Sequence, residues 1–248
     1  MVTADIKLGC GLRGLRRLPR GSVDLLLSDL PSGETCAEFD KPPSLDALWG
    51  AVWHALKPNG VAVFMASSLR FASSLLQSQP NAFRYDLIWE KNQPTGFLNA
   101  KTRPLRAHEF ILVFSRRGTV TYNPQMVETG VRMLRGRRKT LRSENYDTRP
   151  IKRGTEGRAV MVTNRYPRSV LRVRCVPNSG KERVHPQQKP DELLRWIVRT
   201  YSERGQRVVD PFAGSGSTGL AARRERRRFT GWDKSPRFGG RRRVRSCR

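Results

Sequence analysis

The stretch Asp210-Pro211-Phe212-Ala213-Gly214-Ser215-Gly216-Ser217-Thr218-Gly219 constrains this chain more than any other. Gln206-Arg207-Val208-Val209 ahead of it reads as a short buried strand, and Leu220-Ala221-Ala222 behind it opens a helix. A strand that ends in a glycine-rich turn and enters a helix N-terminus brings main chain close to a nucleotide-like ligand. Glycine permits the tight turn and carries no side chain to hold the ligand away. The expected architecture is therefore an α/β sheet with a ligand at the carboxyl ends of its strands. Such a motif usually opens its domain, yet here it falls near the end of 248 residues.

The preceding chain alternates between strand and helix signals. Ile6-Lys7-Leu8 reads as a strand, and Leu12, Leu15 and Leu18 follow at helical spacing until Pro19 and Gly21. Val23 through Asp29 is a nearly continuous apolar run ending in an acid, as in a parallel strand covered on both faces. Ser44 caps a predicted helix with Leu45, Leu48, Trp49, Val52, Trp53 and Leu56 on one face, closed by Lys57-Pro58-Asn59-Gly60. Val61–Met65, Tyr85–Glu90 and Phe110–Phe114 are further strands, and Leu69, Phe71, Leu75 and Leu76 mark a helix ended by Pro80-Asn81. A helix through Leu193, Leu194, Ile197, Val198 and Tyr201 leads to the strand before Asp210, and Phe229–Asp233 forms the last strand. The pattern predicts one doubly wound, mostly parallel sheet of seven strands.

The alternation stops at Ser115. From 115 to 184 the chain is polar, rich in arginine and weakly periodic, with the basic run Arg135-Gly136-Arg137-Arg138-Lys139 and the interleaved Tyr122, Tyr146 and Tyr166. A stretch this long is expected to be a functional insertion rather than a connection. The expected segments are thus 1–114, a basic insertion at 115–184, and 185–248, which ends in an arginine-crowded tail. Lys and Arg number 48 against 21 Asp and Glu, a formal charge of +27. An arginine-biased composition explains Arg over Lys but not this excess of cations. Clustered cations interleaved with aromatic rings point to a nucleic acid partner. Cys10, Cys36, Cys175 and Cys247 are scattered without a Cys-x-x-Cys pair, so neither a zinc site nor a disulfide framework is expected, and a reducing, cytoplasmic setting fits. No long apolar run predicts a membrane span, and Met1–Asp5 lacks the features of a secretory leader.

The glycine-rich turn is not a phosphate loop, because Gly216 is followed by Ser217 and Thr218 rather than by Lys. A nicotinamide-binding fingerprint would lie near the start of the domain, and none is there. Asp233 ends the strand after the turn, where an acid accepts hydrogen bonds from ribose hydroxyls.

Three segments in this order, Asp29-Leu30-Pro31-Ser32, His185-Pro186-Gln187-Gln188-Lys189-Pro190 and Asp210 through Thr218, with a basic insertion between the first two, make the chain resemble the amino-group DNA methyltransferases of the permuted β class. The resemblance covers nearly the whole chain. It implies a single Rossmann-like domain with circularly permuted motif order, a base-handling half first and a cofactor half last. It implies S-adenosylmethionine as cofactor, with Phe212 beside it, Gly214 and Gly216 admitting it to main chain, and Asp210, Thr218 and Asp233 completing the set. Double-stranded DNA is the implied partner, a homodimer is allowed, and a bacterial or phage-borne restriction-modification setting is expected.

The resemblance assigns the chemistry to Asp29, Leu30, Pro31 and Ser32. The exocyclic amino group of adenine is a poor nucleophile because its lone pair is delocalised into the ring. The Asp29 carboxylate and the Leu30 carbonyl, accepting its two hydrogens, would localise that pair for in-line attack on a sulfonium methyl, with Pro31 stiffening the turn. The base must first leave the duplex stack. Asp at the head of the motif favours adenine N6, with cytosine N4 as the alternative.

Two positions depart from the family pattern. Ser32 stands where the family motif has an aromatic ring that stacks on the base, an interaction worth about 1–3 kcal/mol. Cys10 stands where relatives often have an acid. A catalytically impaired, DNA-binding descendant is the reading from another class. Lys189, with His185, either meets the cofactor's carboxylate or precedes a helix as a cap. His108-Glu109 resembles a family segment but reads as structural. Trp89-Glu90-Lys91-Asn92 with Thr95-Gly96-Phe97 is expected to line the base pocket, where Phe97 is a candidate for part of the missing ring.

Overall fold

The structure is a computed structural model that describes residues 4–35, 40–116, 120–135, 160–177, 188–236 and 242–243. Its elements in chain order are β1 (Ala4–Leu8), α1 (Gly11–Arg16), β2 (Val23–Asp29), α2 (Leu45–Ala55), β3 (Leu56–Ala66), α3 (Leu69–Ser78), β4 (Phe83–Thr95) and β5 (Arg106–Phe114). There follow β6 (Val127–Arg135), β7 (Val160–Arg165), β8 (Val170–Arg172), α4 (Asp191–Tyr201), β9 (Arg207–Asp210), α5 (Ser217–Arg224), β10 (Arg228–Asp233) and β11 (Arg242–Arg243). The chain forms two compact units, one of Met1–Asn123 with Arg168–Arg248, the other of Pro124–Pro167.

In the larger unit the described strands form one sheet in the order β11-β1-β10-β9-β2-β3-β5-β4-β8. Neighbours from β1 through β10, β9 and β2 to β3 are parallel, whereas β5 runs antiparallel to both β3 and β4. The seven predicted strands are its body. The prediction stopped at seven, and the described sheet has nine, because β8 adds parallel to β4 at one edge and β11 antiparallel to β1 at the other. Both additions are very short, and pairing rather than a periodic pattern of their own makes them strands.

Each apolar run is buried because helices cover both faces. Leu25 and Leu27 of β2 pack with Leu193, Ile197 and Val198 of α4 and Ala221 and Ala222 of α5. Leu26 faces the other layer, with Leu15 of α1, Leu48 and Val52 of α2, and Phe71 and Leu75 of α3. Full burial of each such side chain contributes about 1.5–3 kcal/mol. Ser44 caps α2 as expected, accepting from the Ala47 N–H, and Ser68 caps α3 in the same way, accepting from the Phe71 N–H.

The Lys57–Gly60 turn, expected to close α2, lies inside β3 instead. Leu56 is already extended and pairs with Val23, while Leu25 pairs with Val61, so Lys57–Gly60 bulges between two paired segments. Burial of Leu56 at 1% exposure anchors the strand before that bulge. In the smaller unit β6 and β7 pair antiparallel, from Val127 opposite Arg165 to Arg135 opposite Val160. Gly136–Lys139 of the basic run, Tyr146, His185 and most of the arginine-rich tail lie outside the described residues. Among the described residues no helix is long and apolar enough to cross a membrane.

Candidate active site

The parallel strands bring their carboxyl ends to one edge of the sheet. Asp29 ends β2, Asp210 ends β9 and Asp233 ends β10, while β5, running the other way, begins there with Arg106–Glu109. Two stretches far apart in sequence meet at this edge. Ser28 Oγ donates to Asp210 Oδ1 at 2.6 Å, so the residue before Asp29 is tied to the residue that opens the glycine-rich turn.

The segment after Asp29 is shaped by a residue that sequence reasoning missed. Asp40, 6% exposed, accepts from the Ser32 N–H at 2.6 Å and the Gly33 N–H at 3.0 Å through Oδ1, and from the Thr35 N–H and hydroxyl, each at 2.8 Å, through Oδ2. Burial alone would raise its pKa, but these donors hold its carboxyl below the ordinary value. Leu30 is buried in the core beneath the loop, and Pro31 and Ser32 are half-buried. Ser32 Oγ lies 3.5 Å from Ser67 Oγ, just beyond β3, and Ser67 Oγ donates to Glu34 Oε2 at 2.9 Å. No periodicity advertises a loop anchor such as Asp40. Its only sequence signal is an acid ahead of Lys41-Pro42-Pro43, in a stretch too polar for a strand.

A chain of alternating charges runs across the same edge. Lys189 Nζ lies 2.8 Å from Asp29 Oδ2 and 3.0 Å from Glu109 Oε2, and Lys91 Nζ lies 3.3 Å from Glu109 Oε1. Lys189 also sits 6.0 Å from the centroid of the Trp89 ring. Burial opposes the charge on Lys189, but the two carboxylates win and raise its pKa. Burial likewise pushes Glu109 up, yet Lys189 and Lys91 hold it below its ordinary value. At Asp29 burial prevails over Lys189, and neighbouring Glu109 and Asp40 add to it, so that carboxyl is displaced upward. Glu109, read from sequence as structural, is thus a direct neighbour of the Asp29 partner. Lys189 immediately precedes Pro190, which occupies the N-cap position of α4 without a capping side chain.

The glycine-rich turn is held from within. Asp210, 2% exposed, accepts from Ser28, from the Phe212 N–H at 3.0 Å and from the Thr218 hydroxyl, and burial raises its pKa to about 6. Asp210 and Thr218 therefore stabilise the turn's shape, whereas Asp233 sits half-buried at its rim. Asp233 Oδ2 accepts from the Gly214 N–H at 3.1 Å and Oδ1 from the Ser235 N–H at 2.7 Å, and each oxygen keeps a further lone pair. Gly214 is left-handed with open space where a side chain would stand, so the outer surface of the turn admits a ligand close to main chain. Gly216, also left-handed, is the N-cap of α5, and Phe212 is half-buried against the α1–α3 layer. Cys10 caps α1. Burial works against its thiolate, but hydrogen bonds at Arg13 and Leu12 and the charge of Lys234 bring its pKa below the usual thiol value.

The predicted residues therefore fall into two adjoining groups at one edge: Asp29, Leu30, Pro31 and Ser32 with Lys189, and Asp210, Phe212, Gly214, Gly216, Thr218 and Asp233. The glycine turn, its open outer surface and the acid of the next strand fit a nucleoside-bearing cofactor.

The N6/N4 methyltransferase family model, described as DNA methylase, matches residues 44–239, and the chain belongs to that family. It is 26% identical over 209 residues to the type II methyltransferase M.HindIII of Haemophilus influenzae, covering 75% of this chain and 63% of the relative. It is 28% identical over 166 residues to M.XycI of Xanthomonas campestris pv. cyanopsidis, covering 66% of this chain and 44% of the relative. The chain thus spans less than two thirds of the length of these curated relatives. Among solved structures it is similar in fold to the cytosine-N4-specific PvuII DNA methyltransferase, with a TM-score of 0.67 at 18% identity, covering 96% of this chain and 86% of that one. The M1.HpyAVI complex with its bound SAM superposes with a TM-score of 0.59 at 21% identity, covering 94% of each chain.

Proposed function

We propose that this protein moves a methyl group from S-adenosylmethionine to the N6 amino group of adenine in double-stranded DNA. The observation that carries the reading is the 2.6 Å hydrogen bond from Ser28 to Asp210, which sets the Asp29 loop beside the glycine-rich turn. A methyl acceptor held by Asp29 and a cofactor held along Gly214, Gly216 and Asp233 would be neighbours. When bound, the cofactor supplies an electrophilic sulfonium methyl. Asp29 and the Leu30 carbonyl accept the two amino hydrogens, so the lone pair turns from the ring toward the methyl. The Asp40 cage keeps the Leu30-Pro31-Ser32 main chain from relaxing as the base arrives. The 115–184 segment is proposed to select the target sequence, since its charge suits phosphates and its side chains suit groove edges.

The test is methyl transfer from labelled cofactor to plasmid DNA, followed by analysis of the modified nucleosides. N6-methyladenine that disappears in Asp29→Ala is the expected result. N4-methylcytosine in its place would move the acceptor to cytosine. DNA binding without transfer, by the native protein and by Ser32→Tyr alike, would make this a binding protein on a methyltransferase fold. Absence of cofactor binding by calorimetry would overturn the methyl-transfer reading altogether.

A further inference from the structure

We propose that the tip of the β4–β5 hairpin is a base-stacking element, in which Phe97 supplies to an unpaired nucleobase the ring that Ser32 lacks; the assignment to the target base rests on the function proposed above.

The hairpin closes at Thr95 opposite Arg106, and its tip is ordered by its own bonds. Gly96 is left-handed, Phe97–Asn99 forms one 3-10 turn, and the Asn99 carbonyl accepts from the Thr102 and Arg103 N–H groups at 3.0 Å each. On this turn Phe97 and Leu98 are 68% and 102% exposed. Two large apolar side chains held outward on a fixed turn gain nothing for the fold, so their use lies with what they meet.

Charge identifies the occupant. No acid occurs between Glu90 and Glu109, and exposed Lys101 and Arg103 follow the apolar pair in the same turn region. An apolar ring on an acid-free stretch that carries exposed cations suits an aromatic, phosphate-linked partner, namely an unstacked base with its backbone.

Contacts identify the place. The Arg106 guanidinium donates to the Ser67 carbonyl, and Ser67 Oγ lies 3.5 Å from Ser32 Oγ. Below the tip, Lys91 of β4 and Glu109 of β5 join Lys189 and Asp29. Phe97 thus stands two residues past the pair that closes the hairpin, on the strand pair that contributes Lys91 and Glu109 to the Asp29 site.

The experiment measures fluorescence anisotropy of a labelled mixed-sequence oligonucleotide, single-stranded and as duplex, with full-length native protein, Phe97→Ala, Phe97→Trp and Leu98→Ala. Phe97→Ala is expected to weaken single-strand binding by about 5- to 150-fold, the span that stacking energies imply, with a smaller change on duplex. Phe97→Trp is expected to retain affinity, and Leu98→Ala to lose less than Phe97→Ala. Unchanged single-strand affinity in Phe97→Ala would overturn the proposal. So would a loss on both probes that Phe97→Trp fails to rescue, and so would altered self-association with both DNA affinities intact, which would make the tip a protein contact.

A second arm scores methyl transfer in Ser32→Tyr, Phe97→Ala and the double variant. If the two rings serve one base, Ser32→Tyr restores activity to Phe97→Ala. Strictly additive effects would overturn the assignment to the target base. If the native protein transfers no methyl group, the function proposed above fails while the binding arm still decides the stacking role.

Discussion

At Asp29 burial and ion pairing pull in opposite directions. Burial, Glu109 and Asp40 raise its pKa, and only Lys189 at 2.8 Å opposes them. In the proposed transfer Asp29 accepts an amino hydrogen as the ionised form, so activity is expected to fall as pH drops through its raised pKa. Removing Lys189 removes the opposing charge. Lys189→Met is therefore expected to move the acid limb of the kcat profile to higher pH, and an unmoved limb would mean that Lys189 does not tune Asp29. The same change leaves Asp29 without its cation and Glu109 with Lys91 alone, so stability is expected to fall by on the order of 3 kcal/mol at most, read by urea denaturation. Asp210 has a different linkage. Its pKa rises from 3.8 to about 6 on folding, so the folded state binds the proton more tightly. That contribution is full below about pH 4 and is lost as pH rises through about 6, some 3 kcal/mol at most by linkage. In Asp210→Asn the carboxyl is gone, and the decline in stability that this linkage gives the native protein between about pH 4 and 6 is expected to flatten.

Helix α1 and the glycine-rich turn are fitted by close approach. A Cβ on Gly11, the first residue of α1, would stand 1.9 Å from the Pro211 carbonyl oxygen, where neither backbone can yield cheaply. Gly11→Ala is expected to cost about 1–3 kcal/mol and to lower cofactor affinity along with stability, because relief of the clash shifts the turn. Calorimetric titration beside urea denaturation checks both. These local fits mark the boundary of what is readable from sequence. Strands β2, β3, β5 and β9 were legible because apolar runs covered on both faces leave a continuous pattern, and the cap Ser44 because its chemistry is local. The polar end of β4, Lys91–Thr95, was not read as strand, since beyond Glu90 only Thr95 is paired, opposite Arg106 across the hairpin. The loop role of Asp40 and the turn-holding roles of Asp210 and Thr218 were equally hidden. Asp210 reads as a ligand residue until Ser28, 182 positions away, is seen to use its oxygen. Glu109 shows the same difficulty, because its partners Lys91 and Lys189 come from distant segments.

The whole molecule carries +27 charges, and their expected signature is a steep dependence on salt. If it contacts 6–10 phosphates, DNA affinity should fall by about 10³–10⁵ between about 50 and 200 mM salt, and a flat profile would remove the electrostatic basis for the DNA reading. The sheet order has a further consequence, for the protein's synthesis. Strand β1 pairs with β10 and β11, and β2 has β9 as its neighbour on that side, so two late strands are inserted between two early ones. While ribosomes add about 5–20 residues per second, β1 waits some 10–45 s for β10 to emerge. Nascent chains arrested before β9 are expected to leave β1 open to protease, while β2, β3 and β5 are already paired. Throughout that interval the first strand is an unsatisfied edge, a binding surface for chaperones and for the matching strand of another nascent chain.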